Sequence, residues 1–385
     1  MCYKSLLFWA AVVCAQAQTT PKGPLCTNNL RYGGTCMDHR ATCPAGTFEY
    51  NPYSNYLGCV DTSKKCCANN PQGTVKNPNG IIATPPLDCG IGSLQGEQPT
   101  SRILDGVITG ACDWPFVVSF RAKTNNVGGL TYAETSHACS GVLISREYAL
   151  TSPACLISAG NTVEEIPSRV AVVAGEYNVS GIDIYPETGG QQEQMIRISD
   201  IYIHPDYPYR SQEELFPFSD IAAANSNGVA LVKLAEPVIG RCAGIACLPS
   251  AAEAANDCAA YDECVITGWG FTTENFDEGP QDELMLGGVR LTSGVACDFL
   301  TQRLNLTRNR PQGTICQNPR NRNTDSCLGD EGGPVLCSNG YNWVVRGIIP
   351  FNLCRAGNYA LFVTNVAPYL DWIQSTMASG SRGRA

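Results

Sequence analysis

Residues 325–337, DSCLGDEGGPVLC, place two adjacent carboxylates, Asp330 and Glu331, inside a glycine loop bounded by Cys327 and Cys337. What such a loop does depends on the scaffold that presents it. On both sides the chain is written in short β-rich runs separated by turn residues: PFVVSF, SGVLISREYAL, SRVAVVAGEY, GVALVKL, CVITGWG and WVVRGIIPF. Many short strands spread over roughly 270 residues predict an all-β barrel or sandwich. The closing stretch VAPYLDWIQSTM has apolar residues at helical spacing and predicts one terminal helix.

Composition sets the frame. The chain has 385 residues, 44% of them hydrophobic, which is enough for one large domain and something small beside it. A formal charge of −9 argues against nucleic acid or an anionic membrane as partner, and solubility alone accounts for it. Lys4, the apolar run from Leu6 to Cys14 and the small residues Ala15-Gln16-Ala17 read as a signal peptide over 1–17. The run is too short to span a bilayer, so the product is expected to be secreted and soluble.

Cysteine usage points the same way. Of 21 Cys, Cys2 and Cys14 fall in the signal, and the remaining 19 read as a disulfide framework with one thiol left over. Only His39, His137 and His204 are available as imidazoles, which disfavours zinc–thiolate sites. Six Cys crowd residues 26–67, a module too small to hold a core without staples. Six thiols allow fifteen pairings. Residues 68–102, rich in Pro, Gly, Asn and Gln, read as an extended linker.

From Ile103 the landmarks resemble those of the chymotrypsin-like serine proteases, two packed six-stranded β-barrels with the active site between them. RILDG followed by DWPFVVSF looks like the activation site and first strand, CSGVLISREYALTSPAC like the segment carrying the catalytic His, and SNGVALVKL like the stretch carrying the catalytic Asp. CVITGWG and the opening 325–337 stretch complete the set, and the resemblance covers residues 103–376. The module at 26–67, with adjacent Cys66 and Cys67, resembles an arthropod clip domain. The resemblance implies clip pairings Cys26–Cys66, Cys36–Cys59 and Cys43–Cys67, and barrel pairings Cys139–Cys155, Cys264–Cys337, Cys297–Cys316 and Cys327–Cys354. It implies a further bridge, Cys89–Cys247, from linker to barrels. Cys112, Cys242 and Cys258 remain unassigned.

The family's chemistry needs a nucleophilic hydroxyl, an imidazole base and a carboxylate that orients the base. In this chain the three positions hold Glu331, Ala154 and Gly228. A methyl group and a hydrogen relay no proton, and no second carboxylate at a matching site makes Glu331 a glycosidase-like acid. The expectation is a serine protease homologue without catalytic residues. Asp325 stands where trypsin-like relatives keep the pocket carboxylate, but the wall positions hold Asn352 and Leu361 instead of glycine, and Pro350-Phe351 replace the usual edge of the substrate strand. Asp325 therefore reads as a relic or a structural hydrogen-bonding group.

Other family features are kept. Arg102-Ile103 stands at the activation cut, and Asp330 stands where the new α-ammonium of Ile103 would be received in a buried ion pair. His137 and Ser119 lie where some zymogens hold that same Asp before cleavage. Glu176 and Glu193 match calcium-ligating positions of some relatives, with Glu187 between them, and an exposed acidic loop is the alternative. Asn178 and Asn305 open N-glycosylation sequons.

Together the features resemble masquerade-like proteins and prophenoloxidase-activating factors. That resemblance implies a non-catalytic cofactor of an extracellular immune cascade, cut after Arg102 by an upstream trypsin-like protease and working with prophenoloxidase or its activating clip protease. The alternative is a protein that recognises microbial surfaces or mediates adhesion.

Overall fold

The computed structural model describes residues 34–38, 47–50, 64–69, 75–76, 82–83, 89–90, 92, 107–125, 129–185, 190–191, 193–215, 221–240, 242–250, 263–271, 280–292, 294–303, 310–319, 326–338, 342–350 and 361–382. Six strands form the first barrel: β1 (Val117–Lys123), β2 (Thr135–Leu143), β3 (Tyr148–Thr151), β4 (Val170–Ala174), β5 (Gln194–Ile203) and β6 (Ala230–Leu234). They close in the order β4-β5-β6-β3-β2-β1. The β-branched run VAVVA of β4 is buried along its whole length, as expected of a strand walled on both faces.

The second barrel is built from β7 (Glu263–Gly268), β8 (Met285–Thr292), β9 (Thr314–Pro319), β10 (Pro334–Ser338), β11 (Trp343–Ile348) and β12 (Leu361–Asn365). Their order is β7-β10-β11-β12-β9-β8, and the pairing of β7 with β8 shuts the ring. The all-β double barrel predicted from sequence is what the chain forms. The main apolar cluster spans both barrels, from Phe116, Val118 and Leu150 to Trp269, Leu336 and Trp343, and a separate one with Ile266, Val289 and Val335 lies in the second barrel. Burial of large side chains of this kind contributes about 1.5–3 kcal/mol each.

Disulfides join Cys89–Cys247, Cys139–Cys155, Cys264–Cys337 and Cys297–Cys316. A fifth, Cys112–Cys242, takes two of the three cysteines that sequence alone left unassigned. Cys327 is also disulfide-bonded, while Cys354 and Cys258 lie outside the described residues. Within the N-terminal module, Gly34–Asp38, Lys64–Asn69 and Thr47–Tyr50 form an antiparallel three-stranded sheet with Cys36 opposite Cys66. Its disulfide pairings lie outside the described residues.

The chain ends in helix α2 (Leu370–Arg382), which follows α1 (Pro153–Gly160) in the elements used below. Leu370 and Ile373 are buried and Met377 packs on the core, a stripe at helical spacing. The buried Lys233 of β6 donates to Gly380 O at 2.6 Å, a cation placed at the negative end of the helix. No helix among the described residues is long and apolar enough to cross a membrane.

Candidate active site

The loop 326–333 runs into β10 with its backbone fixed at several points. Ser140 N donates to Glu331 O at 2.8 Å, and Gly332 N to Ile349 O at 2.7 Å. The first of these bonds ties the loop to the opposite barrel. Gly332 has φ +80°, and a Cβ there would collide with Ser140 O and Thr151 Oγ1, so glycine is required. Glu331 is 7% exposed, and its carboxylate turns back on its own loop, where Oε2 accepts from Gly329 N at 2.7 Å. In the family that this sequence resembles, the corresponding N–H helps hold the oxyanion of the reacting carbonyl. Here an internal anion engages it.

Ala154 lies in the first turn of α1. Ser152 caps that helix by accepting from Cys155 N at 3.1 Å, with Pro153 at the first helical position. The Ala154 methyl is buried in an apolar cluster with Ile157, Tyr207, Leu215 and Ala224. Gly228 lies two residues before β6, and its carbonyl accepts from Thr364 Oγ1 at 3.1 Å. A Cβ at 228 would stand 3.0 Å from that same oxygen. The preceding Asn227 has φ +52°, and its Oδ1 accepts from Tyr369 OH at 2.9 Å. Of the three side chains, only Glu331 can carry charge or a proton, and a backbone N–H occupies it.

Asp330 points elsewhere. Its Oδ1 accepts from Gly270 N and its Oδ2 from Cys327 N, each at 2.9 Å. It is 3% exposed, and burial pushes its carboxyl up to about 6 against the pull of those two N–H groups. A side chain at 268 or 270 would overlap this carboxylate. His137 does not hold Asp330, contrary to the expectation raised by its position. Its Nε2–H donates to Gly329 O at 3.0 Å, and its Nδ1 accepts from the Ser119 hydroxyl at 2.7 Å. The glycines at 268 and 270 leave room for Asp330 beside two N–H donors, and the imidazole takes the Gly329 carbonyl instead. Burial lowers the His137 pKa to about 4, so the ring is neutral near pH 7. Arg102, Ile103, Asp325 and Asn352 lie outside the described residues, as does the Leu361 side chain.

A second group of acids sits on the first barrel. Glu176 and Glu193 come together with Asp183, which sequence reasoning missed; one oxygen from each lies within 4.8 Å of the others, and all three residues are buried. The signal was present as a fourth acid in GEYNVSGIDIYPETGGQQEQ, but its reach depends on how the loop folds back. Asp183 Oδ2 accepts from Tyr177 N at 2.6 Å and Asn178 N at 3.0 Å. Arg121 Nη1 lies 3.5 Å from Glu176 Oε2 and donates to Val179 O at 2.9 Å. Burial, and then the neighbouring Glu193, push the Glu176 carboxyl up to about 9. Fully ionised, the three carboxylates would exceed the one guanidinium by two charges, which adds to burial in keeping the Glu176 proton up to about 9. The buried Glu176 oxygens face Arg121 at 3.5 Å without a close hydrogen-bond donor. That oxygen set and charge fit a hard divalent cation. Glu187 and Asn305 lie outside the described residues; Asn178 Oδ1 accepts from Ser180 N at 3.0 Å within its sequon.

The family model described as Trypsin matches residues 104–373 of the chain. Ovochymase from Halocynthia roretzi is 28% identical over 306 residues, 78% of this chain. The chain spans only 17% of that relative's length.

Proposed function

The chain belongs to the trypsin family, and we propose that within it this domain is a pseudoprotease, a secreted cofactor that binds and does not hydrolyse. One observation carries the reading. At the position that should hold the base, Ala154 presents a methyl group to an apolar cluster, while the carboxylate replacing the nucleophile is engaged by Gly329 N–H. Loss of a single triad member costs orders of magnitude in rate, and here all three are replaced. The disulfides are consistent with an oxidising, extracellular setting.

In this reading the clip-like module at 26–67 and the barrels present loops to partners. Cleavage after Arg102 is the regulated step, and the α-ammonium of Ile103 pairs with Asp330, whose carboxyl is buried beside two backbone donors. The partners implied by the resemblance are prophenoloxidase and its activating clip protease, with a trypsin-like protease upstream. Glu176, Asp183 and Glu193 hold calcium, which fixes the loop 176–193, and Asn178 and Asn305 carry glycans.

The test adds the chain, intact or cut after Arg102, to prophenoloxidase together with an active clip protease. The cut form should raise phenoloxidase yield while hydrolysing no arginyl ester. Ester turnover abolished by Glu331→Ala would overturn the non-catalytic reading. Absence of any effect on prophenoloxidase, with capture by bacteria or β-glucan, would favour surface recognition.

A further inference from the structure

We infer that Glu331 is a built-in ligand for its own oxyanion loop: its carboxylate sets the Gly329 peptide in the formed arrangement before the chain is cut, so the order of this loop does not depend on cleavage. The inference rests on the preceding proposal for Arg102 as the cut site and for Asp330 as the group that receives the new α-ammonium.

The Gly329 peptide is held on both sides. Its N–H donates to Glu331 Oε2 at 2.7 Å. Its carbonyl accepts from His137 Nε2 at 3.0 Å and from Ser140 Oγ at 3.2 Å. Gly329 itself sits at φ +97°, a conformation other residues rarely adopt, so this orientation is selected and not a default of the chain. Two of the three partners come from strand β2 of the opposite barrel. Glu331 is anchored to the same strand through Ser140 N, 2.8 Å from its carbonyl oxygen.

A partly buried N–H left without an acceptor costs more than an ordinary lost hydrogen bond. With a serine at 331 nothing on the side chain could reach back as an anion, and the donor would wait for a substrate. A carboxylate two residues away supplies the acceptor within the same chain, at no cost in association entropy. Its charge strengthens the bond, and so does its burial. Asp330 and Glu331 thus have separate tasks: Asp330 is positioned to receive a cation, whereas Glu331 satisfies the loop. The same contact closes the cleft to any outside carbonyl that would use Gly329 N–H.

Amide exchange resolved at Gly329 tests this in the full chain, intact and cut after Arg102. The wild type should protect Gly329 equally, within about twofold, in both forms. Glu331→Ala should exchange roughly 10- to 100-fold faster when intact, the loss expected for a charge-assisted bond, and should regain protection on cutting. Glu331→Gln, which keeps an acceptor, should fall between them. Glu331→Ser supplies a second variant whose side chain suits the family's loop should the alanine protein fail to fold. Gly332 N–H, bonded to Ile349 O, is the internal control and should not change. Gly329 exchange in the intact wild type as fast as in Glu331→Ala or Glu331→Ser, or protection that appears only on cutting, overturns the inference. The prophenoloxidase assay reads the cofactor role separately, so either proposal can fail alone.

Discussion

His137 and Gly329 are joined by a hydrogen bond of 3.0 Å that crosses from one barrel to the other, and Ser119 completes the chain from the far side of the ring at 2.7 Å. The imidazole can serve as donor at Nε2 and acceptor at Nδ1 only while neutral. Burial holds its pKa at about 4 in the fold, below the ordinary 6.5. Its contribution to stability is therefore complete above pH 6.5 and is lost as pH falls toward 4. Asp330, raised to about 6, acts oppositely over an overlapping window. Thermal denaturation of wild type against His137→Gln isolates the first group. The wild type should lose more stability between pH 6.5 and 4 than the variant, and parallel curves would remove His137 from the account.

The recess around Asp330 predicts an intolerance of side chains. A Cβ on Gly270 would come 2.5 Å from Asp330 Cγ and 2.6 Å from Oδ2. Gly270→Ala must shift the carboxylate or the loop, at about 1–3 kcal/mol. Denaturant unfolding should show that loss in wild type, and a smaller one where Asp330→Ala has already cleared the space. Equal losses in both backgrounds would place the strain elsewhere.

How much of this was written in the sequence follows from the range of each interaction. The barrels were legible, because alternating short β-rich runs such as VAVVA and ALVKL report burial locally. Residues 154, 228 and 331 are matched to the family's triad positions only through their contiguous flanking motifs. What the Glu331 carboxylate does could not be read, since it depends on the φ of Gly329 and on the strand carrying Ser140, 191 residues earlier. The pairing of Cys112 with Cys242, 130 residues apart, is of the same kind. Asp183 was overlooked because loop geometry, not spacing, brings it to Glu176 and Glu193.

The acid group on the first barrel predicts a pH response that a divalent cation should suppress. The Glu176 carboxyl is raised from 4.5 to about 9, so between those values the fold holds a proton that the unfolded chain releases. Its contribution to stability is full below pH 4.5 and falls as pH rises through 9. Calcium at millimolar levels should raise the melting temperature by several degrees near pH 8 and flatten the slope, by stabilising the folded state alone. Glu193→Gln should abolish the calcium effect, whereas Glu176→Gln should flatten the slope without calcium. A calcium response undiminished in Glu193→Gln would exclude this site as its origin.

Restoring one catalytic group at a time should leave the protein inactive, for a different reason at each position. Ala154→His must fit an imidazole where a methyl packs with Ile157, Tyr207, Leu215 and Ala224. Overpacking should cost about 1–3 kcal/mol, and no hydroxyl at 331 would make use of the base. Gly228→Asp brings a Cβ to 3.0 Å from Thr364 Oγ1 and orients nothing while 154 is alanine. Glu331→Ser releases Gly329 N–H and supplies a hydroxyl, but no group at 154 accepts its proton. Each variant, cut after Arg102 and assayed with an arginyl ester, should remain at the rate of a no-protein blank. Turnover above that blank in Glu331→Ser alone would mean that another residue serves as base, and the assignment of Ala154 to that position would have to be abandoned.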